Sequence, residues 1–187
     1  MIRAFIAIIP PTPLQQTVAG IRQAFQPLYL PWRWVTPDHI HLTLRFLGNI
    51  PAESVPSLLQ AMAQAAQDQT AFPLRAKALG CFPHPARPRV LWVGLDDPRQ
   101  ALENLNERLM AALTPLGFSP EDRPFHPHLT LARIQNVRRS SQLFPMLQTY
   151  QNRDFGEFLV TQIHLVQSQI QHGGSLHTIL HSVALQS

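Results

Sequence analysis

The sequence predicts one globular domain that combines strands and helices. Strand-like and helix-like segments alternate along its 187 residues, the string His-x-His-Leu-Thr-Leu occurs twice, at residues 39–44 and 126–131, and no linker or low-complexity run divides the chain. A chain of this length can form one core, or two small lobes that share one. We therefore expect a single domain over residues 1–187 whose two packed lobes each carry one copy of the string.

Apolar periodicity assigns the elements. Helices are predicted where apolar residues recur every three or four positions, and strands where they alternate or form a short run. After Pro98 a helix is predicted from Leu102, Leu105, Leu109 and Leu113, which share one face. In chain order, we predict a strand at 3–9, helix at 11–25, strand at 40–47, helix at 54–67, strands at 72–79 and 89–95, the helix after Pro98, a strand at the second string, an ambiguous segment at 140–150, and closing strands at 156–170 and 176–185.

Composition excludes several classes of protein. The single cysteine, Cys81, rules out a disulfide framework and a cysteine-built zinc site. No apolar run approaches the roughly 18 residues that span a bilayer, and the N-terminal segment lacks the features of a signal peptide. We expect a monomeric cytoplasmic protein with no membrane partner. The net charge of +4 is nearly all arginine, since Lys77 is the only lysine, which favours a polyanionic partner or, alternatively, reflects only a solvated surface.

The repeated string predicts an acid–base site. Side chains alternate faces along a strand, so His41 and Thr43 point one way in the first copy, as do His128 and Thr130 in the second. If the copies face one another, one neutral imidazole can accept a proton while a protonated one donates it. Each threonine can donate a hydrogen bond to a phosphate oxygen. Leu42, Leu44 and Phe46 are predicted to point into the core.

Two other interpretations use the same residues. The pairs His39/His41 and His126/His128 could bind zinc or another metal that prefers imidazole, although a metal site does not explain why threonine recurs. The chain could also be an RNA-binding module without turnover, which its arginine content would suit.

Paired HxTx motifs at this separation resemble the two-histidine phosphoesterase superfamily, specifically the RNA 2′,3′-cyclic phosphodiesterases also labelled 2′-5′ RNA ligases. The resemblance extends to "RAFIAI", "WRWVTPDHIHLTLRFLG", "RPRVLWVGL", "FHPHLTLAR" and "LVQSQIQHGGSLHTIL". It implies a bilobal α+β fold, with two pseudo-symmetric antiparallel sheets, helices on the outer faces and a central cleft. It also implies hydrolysis of RNA 2′,3′-cyclic phosphate ends to 2′-phosphates without a metal or other cofactor, with reversible 2′-5′ ligation.

By this resemblance the general acid is His41, the general base is His128, and Thr43 and Thr130 assist them. The partners it implies are RNA ends, such as those of tRNA fragments, and cyclic nucleotides. Arg133 resembles the family's phosphate-binding arginine, although strict alternation puts it on the leucine face unless the strand ends or bulges. Phe46 and Arg89 are further candidates for substrate binding, and Trp32 or Trp34 could stack a base or pack in the core. His177 stands where relatives usually carry tyrosine.

Overall fold

A computed structural model describes residues 1–119, 124–134, 142–171 and 174–186, which form helices packed on an antiparallel sheet. The strands are β1 (Ile2–Ile8), β2 (Trp32–Trp34), β3 (Leu42–Ile50), β4 (Phe72–Phe82), β5 (Val90–Asp96), β6 (His128–Ile134), β7 (Asp154–Val160), β8 (Gln162–Gln171) and β9 (Gly174–Ala184). The helices are α1 (Thr12–Ala19), α2 (Ile21–Phe25), α3 (Val55–Ala66), α4 (Ala101–Leu113) and α5 (Leu143–Thr149).

The sheet consists of two halves that meet at its centre. Its strand order is β7-β4-β5-β6-β3-β1-β8-β9, with β2 also paired to β6. In one half the innermost strand is β3, which lies beside β1. In the other half it is β6, which lies beside β5. Each innermost strand carries part of one copy of the repeated string, and a helical segment of the chain separates the two strands of each pair. Strands β3 and β6 join the halves through the pair of Leu42 with Leu129, and β2 also pairs with β6. The predicted α+β fold with two similar halves is therefore confirmed, and the halves form one continuous sheet.

The helices cover one face of the sheet. Leu102, Leu105, Leu109 and Leu113 of α4 are fully buried, as their spacing predicts, and they belong to the same core cluster as Ile6 of β1. Helices α1, α3 and α5 contribute to that cluster as well. Burial of these apolar faces is the main favourable term for the fold. The opposite face of the sheet is free of described helices and carries the polar side chains of the repeated strings.

Three element predictions need correction. The predicted helix at 11–25 is divided at Gly20, which ends α1 and precedes α2. The predicted strand at 156–170 is two strands separated by Thr161, because β7 pairs with β4 in one half whereas β8 pairs with β1 in the other. The short strand β2 was not predicted, since three residues are too few for a periodic signal. The predicted turn at 172–175 lies partly outside the described residues.

The described helices do not include one that is long and apolar enough to cross a membrane.

Candidate active site

The two copies of the repeated string meet in the middle of the sheet. Leu42 of β3 and Leu129 of β6 are antiparallel partners, and their side chains are 1% and 0% exposed in the core. Residues next to them along each strand therefore point to the opposite, open face. The two strings thus place their polar side chains on one shared surface.

The antiparallel register relates the polar residues by an approximate two-fold. Leu42 with Leu129 is the one residue pair described between β3 and β6. Continued in antiparallel order, this register brings Thr43 toward His128 and Thr130 toward His41. We therefore expect the four polar side chains to border one shared surface.

Matching hydrogen bonds orient the two imidazoles. Nδ1 of His41 lies 2.7 Å from the carbonyl oxygen of His39, and Nδ1 of His128 lies 2.7 Å from the carbonyl oxygen of His126. Because a carbonyl oxygen only accepts, Nδ1 is the donor and carries a proton in both rings. Nε2 is then the nitrogen of each ring that can gain or lose a proton at the open face.

Aromatic rings hold His41 in place. Phe5 of β1 stacks on the His41 ring at a centroid distance of 4.7 Å, and His177 of β9 meets the same ring edge-on at 5.3 Å. His177 also lies 4.7 Å from the ring of His39, whose Nε2 is 3.8 Å from a carboxylate oxygen of Asp38. His177 therefore contacts the predicted acid directly.

His128 has a corresponding aromatic wall in the other half. Phe82 of β4 meets its ring edge-on at 5.1 Å, and Trp92 of β5 lies at 6.2 Å. The indole of Trp92 lies over Gly80, where an added Cβ would be 2.2 Å from the ring. These contacts were not predicted, because they depend on the pairing of Trp92 with Thr130, which the strand assignments alone do not give.

Burial lowers the pKa of both catalytic candidates. The pKa of His41 falls from 6.5 to about 4, chiefly because burial disfavours the imidazolium, and His177, His39 and Arg133 add repulsion. The pKa of His128 is also lowered, first by burial and then by the charges of His126 and Arg133. The hydrogen bond from Nδ1 to the carbonyl opposes the effect in both rings. The charge of Arg133 thus reaches both histidines.

A bulge in β6 explains how Arg133 reaches the open face. Trp92 pairs with Thr130 and Leu91 pairs with Ala132, so Leu131 is an extra residue in the ladder. Leu131 and Ala132 are both buried, and Arg133 is exposed. Since a bulge reverses the later alternation, Arg133 lies on the face of the histidines rather than on the leucine face.

The same bulge occurs at the same place in β3, and it corrects the prediction for Phe46. Ala7 pairs with Thr43 and Ile6 with Arg45, so Leu44 is the extra residue. Leu44 is buried as predicted, but Phe46 is 44% exposed rather than in the core. Its ring lies on the open face, 4.8 Å from the guanidinium carbon of Arg3. Phe46 in the first half thus corresponds to Arg133 in the second.

The remaining candidates are placed less directly. Arg89 is exposed just before β5, where its backbone pairs with Phe82 and Ile134, and no described contact joins its side chain to either histidine. Trp32 and Trp34 pack against the core. Core packing was one of the two roles predicted for these side chains, and base stacking was the other.

The predicted His-x-His pairs do not lie wholly on strands. His39 is in a short 3-10 turn, Pro37–His39, and His126 precedes β6. Among the described residues there is no group of three or more His, Cys, Asp or Glu side chains arranged to hold a metal ion.

Comparison with known proteins agrees with this geometry. Residues 10–170 match the family model of the 2′-5′ RNA ligase superfamily. RNA 2′,3′-cyclic phosphodiesterase of Aeropyrum pernix is 32% identical, covering 91% of this chain and 96% of its own, and that of Aquifex aeolicus is 29% identical, covering 96% and 95%. Among solved structures, TT0787 of Thermus thermophilus superposes with a TM-score of 0.83 at 28% identity over 98% of each chain. LigT of E. coli complexed with 3′-AMP gives 0.79 at 28% identity, over 100% of this chain and 99% of LigT.

Proposed function

The chain belongs to the 2′-5′ RNA ligase superfamily, and we propose that it opens RNA 2′,3′-cyclic phosphate ends to 2′-phosphates with paired histidines and no metal ion. It is an enzyme of the class to which its curated relatives belong, the RNA 2′,3′-cyclic phosphodiesterases. The observation that carries the mechanism is the pairing of Leu42 with Leu129, because it sets both strings on one face in antiparallel register.

The proposed reaction is an in-line attack of water on the cyclic phosphorus. Nε2 of neutral His128 accepts a proton from the water as its oxygen bonds to phosphorus. The bond from phosphorus to the 3′ oxygen breaks, and Nε2–H of protonated His41 donates its proton to that leaving oxygen. The product is a 2′-phosphate, with His128 protonated and His41 neutral, and exchange with solvent restores the starting states. The same sequence, with a 5′-hydroxyl end as the nucleophile in place of water, would join RNA through a 2′-5′ bond, and its reverse would cleave that bond.

Thr43, Thr130 and Arg133 stabilise the charge that grows on the nonbridging oxygens. Hydroxyl donors aimed at a developing oxyanion act where burial makes each hydrogen bond stronger than in water. The guanidinium of Arg133 matches phosphate geometry and lies within electrostatic reach of both histidines. Phe46, exposed on the same face beside Arg3, is the candidate to stack on the terminal base.

The lowered pKa of His41 requires that substrate help to protonate it. With a pKa of about 4, His41 is neutral in the free protein near pH 7. A bound cyclic phosphate carries one negative charge, which raises the pKa of a neighbouring imidazole in a buried site. The acid is therefore protonated together with substrate binding, while Nε2 of His128 stays free to accept a proton from water.

We further propose that the whole chain works as one monomeric domain in the cytoplasm, since the single cysteine suits a reducing compartment and the cleft draws on both halves of the sheet. The RNA substrates we propose include fragments of tRNA, and cyclic nucleotides are the smallest substrates.

The test is hydrolysis of a 2′,3′-cyclic mononucleotide in excess chelator, followed by phosphorus NMR. We expect an undiminished rate and a 2′-phosphate product. Variants H41A and H128A should each lose turnover, whereas H181A is a matched control, because His181 is exposed on β9 and pairs with the core residue Leu165. A rate restored only by added metal would support the metal interpretation. Binding of RNA without any hydrolysis would support the RNA-binding module.

A further inference from the structure

A second arginine, Arg33, faces the cleft beside Arg133. Arg33 of β2 is the direct antiparallel partner of Arg133 of β6. Its neighbours Trp32 and Trp34 pack against the core and pair with Ile134 and Ala132, which are both buried. By alternation Arg33 points to the opposite face, which is the face that carries the catalytic histidines.

The backbone of Arg33 is held firmly in that position. Three consecutive residue pairs join β2 to β6, and the amide of Val35 donates to the carbonyl of Leu131 at 2.8 Å. Trp32 lies 5.4 Å from Trp34 and 6.0 Å from Phe25, so aromatic packing fixes the strand from below. A side chain on so constrained a segment is a prearranged contact rather than an arbitrary surface charge.

Two facing arginines are unfavourable without an anion between them. Like charges directly opposite one another on neighbouring strands destabilise a sheet. Neither Arg33 nor Arg133 forms an ion pair with any other residue in the described parts of the chain, whereas Arg75 on the same sheet pairs with Asp154 and Glu157. Both guanidiniums are exposed. The pair is therefore complementary to phosphate supplied by a ligand.

The position of Arg33 suggests which phosphate it binds. Each strand has two edges that can pair, and β5 occupies one edge of β6. Both β3 and β2 therefore pair with the other edge of β6. Along that edge β2 follows just beyond the Leu42–Leu129 pair. Arg33 is then one strand spacing, about 4.8 Å, from the backbone of Arg133 and farther from the histidines. Arg133 acts at the cyclic phosphate, so Arg33 lies where a second phosphate of the same substrate would pass.

Resting on the proposed function, we propose that Arg33 binds the internucleotide phosphate on the 5′ side of the terminal nucleoside, so that this site selects RNA ends over cyclic mononucleotides. A 2′,3′-cyclic mononucleotide lacks this phosphate, whereas an oligonucleotide has it. A free nucleotide with a 5′-phosphate offers the same chemistry, and the test separates the two sources.

The test compares four substrates that end in the same 2′,3′-cyclic nucleotide. They are the mononucleotide, its 5′-phosphorylated form, a dinucleotide, and the same dinucleotide with a neutral methylphosphonate linkage. For the wild-type protein we expect kcat/KM to be about three- to tenfold higher for the charged dinucleotide than for the neutral one, the range of one exposed charge-assisted contact. Its logarithmic salt dependence should be steeper by about 0.7. In R33Q both differences should vanish, and R33K should keep part of each.

Each outcome decides a separate point. Equal use of the two dinucleotides by the wild-type protein, or a preference that survives in R33Q, would overturn the inference. Loss of the preference in R22Q, which removes an exposed arginine of α2, would also overturn it, because the effect would then be general charge. A 5′-phosphorylated mononucleotide that is as good a substrate as the dinucleotide would assign the site to a terminal phosphate. If no substrate is hydrolysed, it is the proposed function that fails.

Discussion

Replacement of His41 by asparagine should make the stability of the protein less sensitive to acid. The amide of asparagine can still donate to the carbonyl of His39, but it does not titrate. In the wild-type protein the pKa of His41 is 6.5 when unfolded and about 4 when folded. Between these values the unfolded chain binds a proton that the folded protein excludes, so stability rises with pH across that window and is lost as pH falls through it.

The size of the effect follows from the two pKa values. The full difference corresponds to about 3 kcal/mol of unfolding free energy. Between pH 7 and pH 4.5 the contribution of His41 falls by about 2 kcal/mol. The other histidines with lowered pKa, His128, His164 and His177, are present in both proteins, so they largely cancel in the comparison.

The assay is urea unfolding of the wild-type protein and H41N at several pH values from 7 to 4.5. We expect the wild-type protein to lose about 2 kcal/mol more than H41N over this range. Titration of the His41 ring by NMR provides a direct check of its pKa. An equal loss of stability in both proteins, or a midpoint near 6.5 for His41, would refute the argument that burial at this site disfavours the imidazolium.

Four further predictions concern catalysis. Replacing His41 or His128 by alanine should reduce kcat by about 10²- to 10⁴-fold, and the double variant should lose less than the product of the two single losses. If the losses multiply in steady-state kinetics, the two histidines act at separate sites. The limbs of the pH profile of kcat should lie at higher pH than those of kcat/KM, because bound phosphate raises histidine pKa values that burial lowers in the free enzyme; coincident limbs would contradict this. Gly80→Ala should lower kcat, because the added Cβ would overlap the indole of Trp92, which lies beside His128. Adding Trp92→Phe should recover part of the lost rate, and a wild-type rate in Gly80→Ala alone would contradict this packing. His177→Phe should raise the pKa of His41 in an NMR titration, because His177 contributes a repulsive charge, and an unchanged value would exclude that contribution.

Much of the site follows from local sequence, because it depends on the period of a strand. His41, Thr43, His128 and Thr130 share a face through simple alternation, and the leucines between them are buried as the pattern requires. Arg133 and Phe46 could not be placed in this way. Their orientation depends on bulges at Leu131 and Leu44, which form only in register with β5 and β1, and nothing in the adjacent residues marks them.

Long-range pairing accounts for the other differences. The segment 156–170 looks continuous because its apolar residues are continuous, yet its two parts complete different halves of the sheet. Arg33 is conspicuous only once β2 is known to pair with β6. These features are set by which strands become neighbours, and single-sequence periodicity contains no information about that choice.

The pairing of β1 with β8 has a consequence for how the protein is made. Ala4 is the partner of Gln167, and β9, which carries His177 against His41, closes the same edge of the sheet. During translation β1 can pair with β3 early, but its other neighbour, β8, is made only after nearly the whole chain. At about 5–20 residues per second this delay lasts several seconds or more. The exposed edge of β1 is then open to pairing with other chains until β8 covers it.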